Sequence, residues 1–228
     1  MTAPRERLVL ALDVGGLDDA VVLARRLAPW FPTVKVGFEL YAEAGPAAFD
    51  ALHAEGFRIF ADLKLHDIPN TVARAARVHG RRGVEFLNFH AAGGVDMLRA
   101  GVDAYREGAR DAGLGQPVAL GVTVLTSDPD ATAFPGRLRT CVAAGCDGVV
   151  CSAFEALAAR DAGLRSMVAG VRLADSSADD QARAATPGEA VAAGATWLVI
   201  GRTVTGADDP ERAAASVIAD IEQVTTTA

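Results

Sequence analysis

The feature that most limits how this chain can fold is a repeat of short apolar runs separated by helix-length, alanine-rich stretches. The runs fall at residues 8–13, 33–37, 58–64, 84–90, 118–124, 148–151, 167–171 and 197–201. They are apolar almost residue after residue rather than alternately, the pattern of parallel strands covered on both faces. Between them lie helical segments such as 18–28, 46–55, 71–81, 95–112 and 187–193. A last helix, 210–224, has Asp209 placed to cap it and Pro210 in its first turn. Eight such units in 228 residues fit an α/β fold of one kind, a single (β/α)8 TIM barrel, which takes about 250 residues. One catalytic barrel domain over residues 1–228 is the expectation. No Gly-x-Gly-x-x-Gly follows the first run, so a dinucleotide-binding doubly wound sheet lacks its fingerprint. Two polar stretches, 126–136 and 173–180, are candidate covers for a site.

Composition narrows the function. Half of the residues are hydrophobic, enough for a sizeable core, yet no run approaches the roughly 18 uncharged apolar residues of a membrane helix. Residues 1–7 carry charge with no signal-peptide pattern after them, so a cytoplasmic protein without a membrane partner is expected. A net charge of −7 argues against a nucleic-acid surface and leaves room for a small anion met by a few converging cations. Cys141, Cys146 and Cys151 are odd in number and form no Cys-x-x-Cys pair. With only four histidines, they read as reduced, buried thiols, and no metal site is expected. The 22 basic residues include only two lysines, Lys35 and Lys64. In a chain that otherwise uses arginine, a retained lysine points to a task arginine does poorly, such as exchanging a proton or acting as a compact point charge.

Barrel enzymes carry their chemistry at the C-terminal ends of the strands. Those ends read Asp13, Lys35, Asp62 with Lys64, Asn88 with His90, Thr123, Ser152, Arg172, and Gly201 with Arg202. Both lysines are among them. The densest stretch is Asp62-Leu-Lys-Leu-His-Asp67. Residues two apart on a strand share a face, so Asp62 and Lys64 should project together, with Lys35 completing an alternating array. Asp67 follows at the turn, where Pro69 keeps Ile68 out of a helix. An internal salt-bridge layer would use the same residues, but four charges are costly to bury for stability alone. Arg172 and the Gly201-Arg202 turn, after the last two strands, suit a phosphate. Solvated surface arginines are the plain alternative.

The ten residues 62–71, Asp-Leu-Lys-Leu-His-Asp-Ile-Pro-Asn-Thr, resemble the signature of the orotidine 5′-phosphate decarboxylase family. The resemblance spans nearly the whole chain through LALDV at 10–14, VKVG at 34–37, NFHAAGG at 88–94, VTVLTS at 122–127, DGVVCSA at 147–153 and LVIGR at 198–202. It implies decarboxylation of orotidine 5′-monophosphate to UMP in pyrimidine synthesis, with no metal or organic cofactor. Lys64 would be the proton donor, acting with Asp62, Asp67 and Lys35. Asp13, Lys35 and the signature residues Asp62, Lys64, Asp67, Ile68, Pro69, Asn70 and Thr71 would meet the nucleotide. So would Thr126, Arg172, Gln181, Gly201 and Arg202. The resemblance also implies a homodimer in which Asp67 and Thr71 reach the partner's site. The chain departs from the family pattern at Ala169, Leu173 and Thr203, each in place of a proline, and in a shorter stretch between Thr126 and Cys141. Related sugar-phosphate enzymes share Asp-x-Lys-x-x-Asp and use a divalent metal, but lack Ile-Pro-Asn-Thr. A nucleotide-binding scaffold without chemistry would have no need of Lys64 or Asp62. His90 reads as a supporting hydrogen-bonding residue and His66 as packing.

Overall fold

The computed structural model describes residues 3–173 and 185–226. Eight parallel strands close into a barrel in sequence order, with the first pairing the last. They are β1 (Leu8–Ala11), β2 (Thr33–Val36), β3 (Arg58–Leu65), β4 (Phe86–His90), β5 (Val118–Val122), β6 (Gly148–Cys151), β7 (Arg165–Val168) and β8 (Trp197–Ile200). Around them run α1 (Leu17–Leu27), α2 (Phe38–Ala44), α3 (Ala47–Ala54), α4 (Pro69–Arg81), α5 (Gly94–Asp111), α6 (Phe134–Ala144), α7 (Ala156–Asp161), α8 (Pro187–Ala192), α9 (Arg202–Thr205) and α10 (Pro210–Thr226). The barrel expected from the apolar repeat is the fold observed. Among the described residues no helix is long and apolar enough to cross a membrane.

The apolar runs are continuous because each strand buries both faces. Leu8, Leu10, Val34, Val36, Ile59, Ala61, Leu87, Leu198 and Ile200 belong to the layer between strands and helices. Val9, Ala11, Phe60, Phe86, Val118, Leu120, Met167 and Val199 fill the interior. The inward parity therefore runs Val9, Ala11, Asp13 on β1 and its extension; Thr33, Lys35 on β2; Phe60, Asp62 on β3; and Phe86, Asn88 on β4. Apolar below and polar above, these columns put the charged residues in the barrel's mouth.

Several strand ends differ from the sequence reading. β1 stops at Ala11, β5 at Val122 and β7 at Val168, short of the expected residues 13, 124 and 171. The chain leaves the ladder gradually: Leu12 still donates to the Lys35 carbonyl, and Val171 keeps one isolated bridge to Ala185. Helices α2, α6, α7 and α9 were not among the expected segments. The polar stretch 126–136 ends early, because Phe134, Pro135 and Gly136 already belong to α6. Pro135 sits in the first turn, where its missing N–H costs nothing. The Asp209 cap is as expected, with the Arg212 N–H donating to Oδ1 at 3.1 Å. Of the second polar stretch only Leu173 lies within the described residues. The three cysteines are buried.

His79 on α4 is buried against Tyr41 and Phe49, and its Nδ1 has no hydrogen-bond partner among the described residues. Burial, and then the Arg82 charge, push its pKa down from 6.5 to about 4. The folded state keeps this ring neutral while the unfolded chain takes up a proton below its ordinary value, so stability falls as pH drops from 6.5 toward 4. Between pH 7 and pH 4.5 we expect His79→Phe to lose roughly 2 kcal/mol less unfolding free energy than the unmodified chain, measured by urea denaturation. Equal losses in the two proteins would show that His79 is not the group responsible.

Candidate active site

The mouth of the barrel holds an alternating chain of charges. Lys35 Nζ donates to Asp13 Oδ1 at 2.8 Å and lies 3.6 Å from Asp62 Oδ2. Lys64 Nζ donates to Asp62 Oδ1 at 2.7 Å. Exposure is graded along this array: the Lys35 side chain is 9% exposed, Asp62 15%, Lys64 26% and Asp13 57%. The two inner members are thus nearly dry, and each meets two oppositely charged neighbours. Gly37 makes room for this. A Cβ there would stand 2.9 Å from Lys35 Nζ and 3.0 Å from Asp13 Oδ1.

Asp62 is the centre of the array. Burial pushes its pKa up, but Lys35, Lys64 and hydrogen bonds from Lys64 and Asn88 outweigh that and hold it below the ordinary carboxylate value. It therefore stays an anion.

Simple strand alternation does not explain how Asp62 and Lys64 meet. The β3–β4 register runs Ala61↔Leu87 and then Leu65↔Phe89, so β3 carries two more residues than β4 across the same step. Lys64 sits in this bulge with φ +45°, alone among the described non-glycine residues in having a positive φ. Such a conformation costs about 1–3 kcal/mol and persists only where its surroundings enforce it. The Lys64 N–H donates to Asn88 Oδ1 at 2.6 Å, and Asn88 Nδ2 donates to Asp62 Oδ1 at 2.7 Å. The exposed Phe38 ring lies over the Lys64 ammonium, 5.3 Å from Nζ to the centroid. Neither Asn88 nor Phe38 was given a role from the sequence. Asn88 was legible there only as a polar residue at a strand end.

Beside the array is a cavity of about 190 Å3. Ala11, Phe60, Val150 and Val199 line it on the barrel side. Asp13, Lys35 and Asp62 line it as well, together with Arg172, Gly201 and Arg202. Gly170, with φ +78°, turns the chain after β7, and Arg202 opens α9 directly after Gly201. Thr203, which departs from the family pattern, donates its hydroxyl to the Val171 carbonyl at 3.2 Å and ties the two turns together. A proline there has no hydroxyl to give.

The structure thus brings Asp13, Lys35, Asp62, Arg172, Gly201 and Arg202 to the lining of this cavity, and Lys64, itself outside the lining, joins them through its hydrogen bond to Asp62. It does not bring Asp67, Ile68, Pro69, Asn70 and Thr71 to that cavity; they form an exposed run on the rim, where Asp67 Oδ1 accepts from the Ile68 N–H. Ile68 is extended and Pro69 opens α4. Thr126 is half-buried on the loop after β5, also outside the cavity lining. Gln181 lies outside the described residues. His90 accepts from the Ala92 N–H through Nδ1, and His66 stacks on it at 5.4 Å. Burial first, then Arg137, His66 and Lys64, lower the His90 pKa, consistent with a ring that uses Nδ1 as an acceptor.

Comparison with known proteins decides what kind of barrel this is. The model of the orotidine 5′-phosphate decarboxylase / HUMPS family matches residues 6–217, from before β1 into α10. The chain belongs to that family. An orotidine 5′-phosphate decarboxylase of Moorella thermoacetica is 45% identical, over 96% of this chain and 94% of that protein. One from Halorhodospira halophila is also 45% identical, over 94% and 95%. The crystal structure of a Lactobacillus acidophilus orotidine 5′-phosphate decarboxylase superposes with a TM-score of 0.75 at 30% identity, covering 94% of this chain and 98% of the other. As a member of this family the chain is a carbon–carbon lyase of the decarboxylase type.

The balance of forces on Asp62 can be tested directly. Lys64→Met removes one of two ammonium groups and one hydrogen bond while leaving the burial. The Asp62 carboxyl 13C resonance should then titrate at higher pH than in the unmodified chain. An unmoved titration would mean that Lys64 does not hold this carboxylate.

Proposed function

We propose that this chain converts orotidine 5′-monophosphate to UMP and CO2, with Lys64 as the proton donor to C6. The Asp13–Lys35–Asp62–Lys64 array carries this reading, because it sets a buried cation beside a largely covered anion next to a cavity flanked by arginines.

Loss of CO2 from C6 leaves an electron pair in the plane of the pyrimidine ring, where the π system cannot delocalise it. Without an electron sink, the protein must stabilise that pair electrostatically. The C6–carboxylate bond breaks and its electrons remain on C6. A proton from Lys64 Nζ then forms the C6–H bond, and the neutral amine is recharged from solvent. Asp62, kept ionised by its neighbours, stands against the substrate carboxylate in the ground state and is relieved as neutral CO2 departs. Two like charges about 4 Å apart at an effective dielectric of about 20 repel by roughly 4 kcal/mol. Arg202, Arg172 and the Gly201 turn take the phosphate, and that binding energy holds the base against the array. The reaction needs no metal or organic cofactor in this reading, since the array supplies both charge and proton.

The enzyme is a cytoplasmic homodimer in the same reading. The exposed run that includes Asp67 and Thr71 supports the dimer, because it lies outside the chain's own cavity and is available to a neighbouring one.

The direct test mixes the protein with orotidine 5′-monophosphate and follows the ultraviolet change on forming UMP, with and without EDTA. Turnover indifferent to EDTA is the expected result; turnover that needs a divalent metal would favour the sugar-phosphate branch of the barrel. Lys64→Arg should lower kcat by about 1000-fold with the fold intact, because guanidinium does not readily give up a proton. Near-normal activity in that variant would remove Lys64 from its role. Arg202→Ala should raise KM by about 10- to 100-fold, the loss of a charge-assisted hydrogen bond. A large fall in kcat at unchanged KM would contradict the phosphate assignment.

A further inference from the structure

We infer that Asn88 is a positioning residue for this reaction: its side-chain amide holds Lys64 in its bulged backbone conformation and, by the same group, fixes the Asp62 carboxylate that Lys64 faces. The inference rests on the proposed decarboxylation for its functional consequence, but its geometric content is independent of it.

The amide does two things at once. Its oxygen accepts the Lys64 N–H at 2.6 Å, within the stretch where the β3–β4 register is interrupted. Its nitrogen donates to Asp62 Oδ1 at 2.7 Å, the same oxygen that accepts Lys64 Nζ. One planar group thus sets the main chain of the ammonium-bearing residue and the side chain of its carboxylate partner. Asn88 is itself held firmly. It is fully buried, on the inward parity of β4 above Phe86, and its backbone is paired in register with Leu120 of β5. Only a short amide meets both demands, since it presents a donor and an acceptor from one rigid plane. An aspartate lacks the donor, and a glutamine is a methylene too long. A backbone with φ +45° at Lys64 persists only if its surroundings enforce it, and Asn88 takes the N–H that this conformation turns away from the ladder.

The test compares the full chain with Asn88→Ala and the near-isosteric Asn88→Asp. Asn88→Ala should lower kcat by about 100-fold, because the reacting groups lose their alignment rather than their identity. Calorimetric UMP affinity should stay within about threefold, because the phosphate contacts are untouched. Asn88→Asp should be comparably slow at pH 8, where two carboxylates face each other. Its activity relative to the unmodified enzyme should recover by about tenfold toward pH 5, as the pair takes up a shared proton and regains a donor. A kcat within about threefold of normal in Asn88→Ala, or an Asn88→Asp ratio that is flat with pH, would overturn the inference. So would parallel loss of kcat and UMP affinity. Should Asn88→Ala not fold, Asn88→Asp carries the test alone. The unmodified protein is assayed first. If it forms no UMP, the functional reading fails, and the geometric claim is judged from a crystal structure of Asn88→Ala: Lys64 leaving its positive φ supports it, and an unchanged bulge refutes it.

Discussion

A carboxylate kept ionised in the nearly dry mouth of a barrel is the constraint on which the rest of this site depends. Burial alone would raise the pKa of Asp62. Two ammonium groups, with an amide and a lysine hydrogen bond, reverse that and leave it below the ordinary carboxylate range. The consequence runs outward from there. Lys35, still more buried than Asp62, has Asp13 as its second partner, and the absence of a side chain at Gly37 leaves that pair its room. Arrays of this kind are poor bargains as stabilising elements, since well-packed apolar residues of similar volume often do as well or better. The arrangement makes sense when a substrate's charges are to be met by fixed charges already in place.

The scaffold delivers these groups through strand parity. Val9, Phe60 and Phe86 continue upward into Asp13, Asp62 and Asn88, so one inward column per strand changes from apolar to polar at the height of the cavity. Parity alone would leave Lys64 on a regular strand. The two-residue excess of β3 over β4 instead folds the chain back so that Nζ meets Asp62, and Asn88 takes up the N–H that the bulge frees. The barrel therefore supplies position, and one local irregularity supplies the contact between cation and anion.

Much of this was legible in the sequence, for a physical reason. Strands buried on both faces leave uninterrupted apolar runs, and the residues that end those runs are the mouth of the barrel, so Asp13, Lys35, Asp62, Lys64 and Arg202 could be placed before any coordinates. The meeting of Asp62 and Lys64 followed from a period-two argument whose outcome matched the structure although its cause did not: the bulge depends on the β4 register, which no local pattern around residues 62–65 encodes. The four short or proline-containing helices α2, α6, α7 and α9 were missed because each lacks a long apolar stripe and draws its stability from packing on the barrel. Asp67 and Thr71 stood in the strongest motif, yet they lie on the rim outside this cavity. A motif gathers residues along the chain, whereas the lining of the cavity is decided by which residues the strand ends bring together.

The most direct test of the account is a crystal structure of the protein with UMP bound. The account predicts the Lys64 nitrogen within about 3–3.5 Å of C6, the distance of a near-attack arrangement, with the phosphate on Arg202 and the Gly201 turn. A pyrimidine turned so that C6 faces away from Lys64, or a phosphate held elsewhere on the barrel, would contradict it.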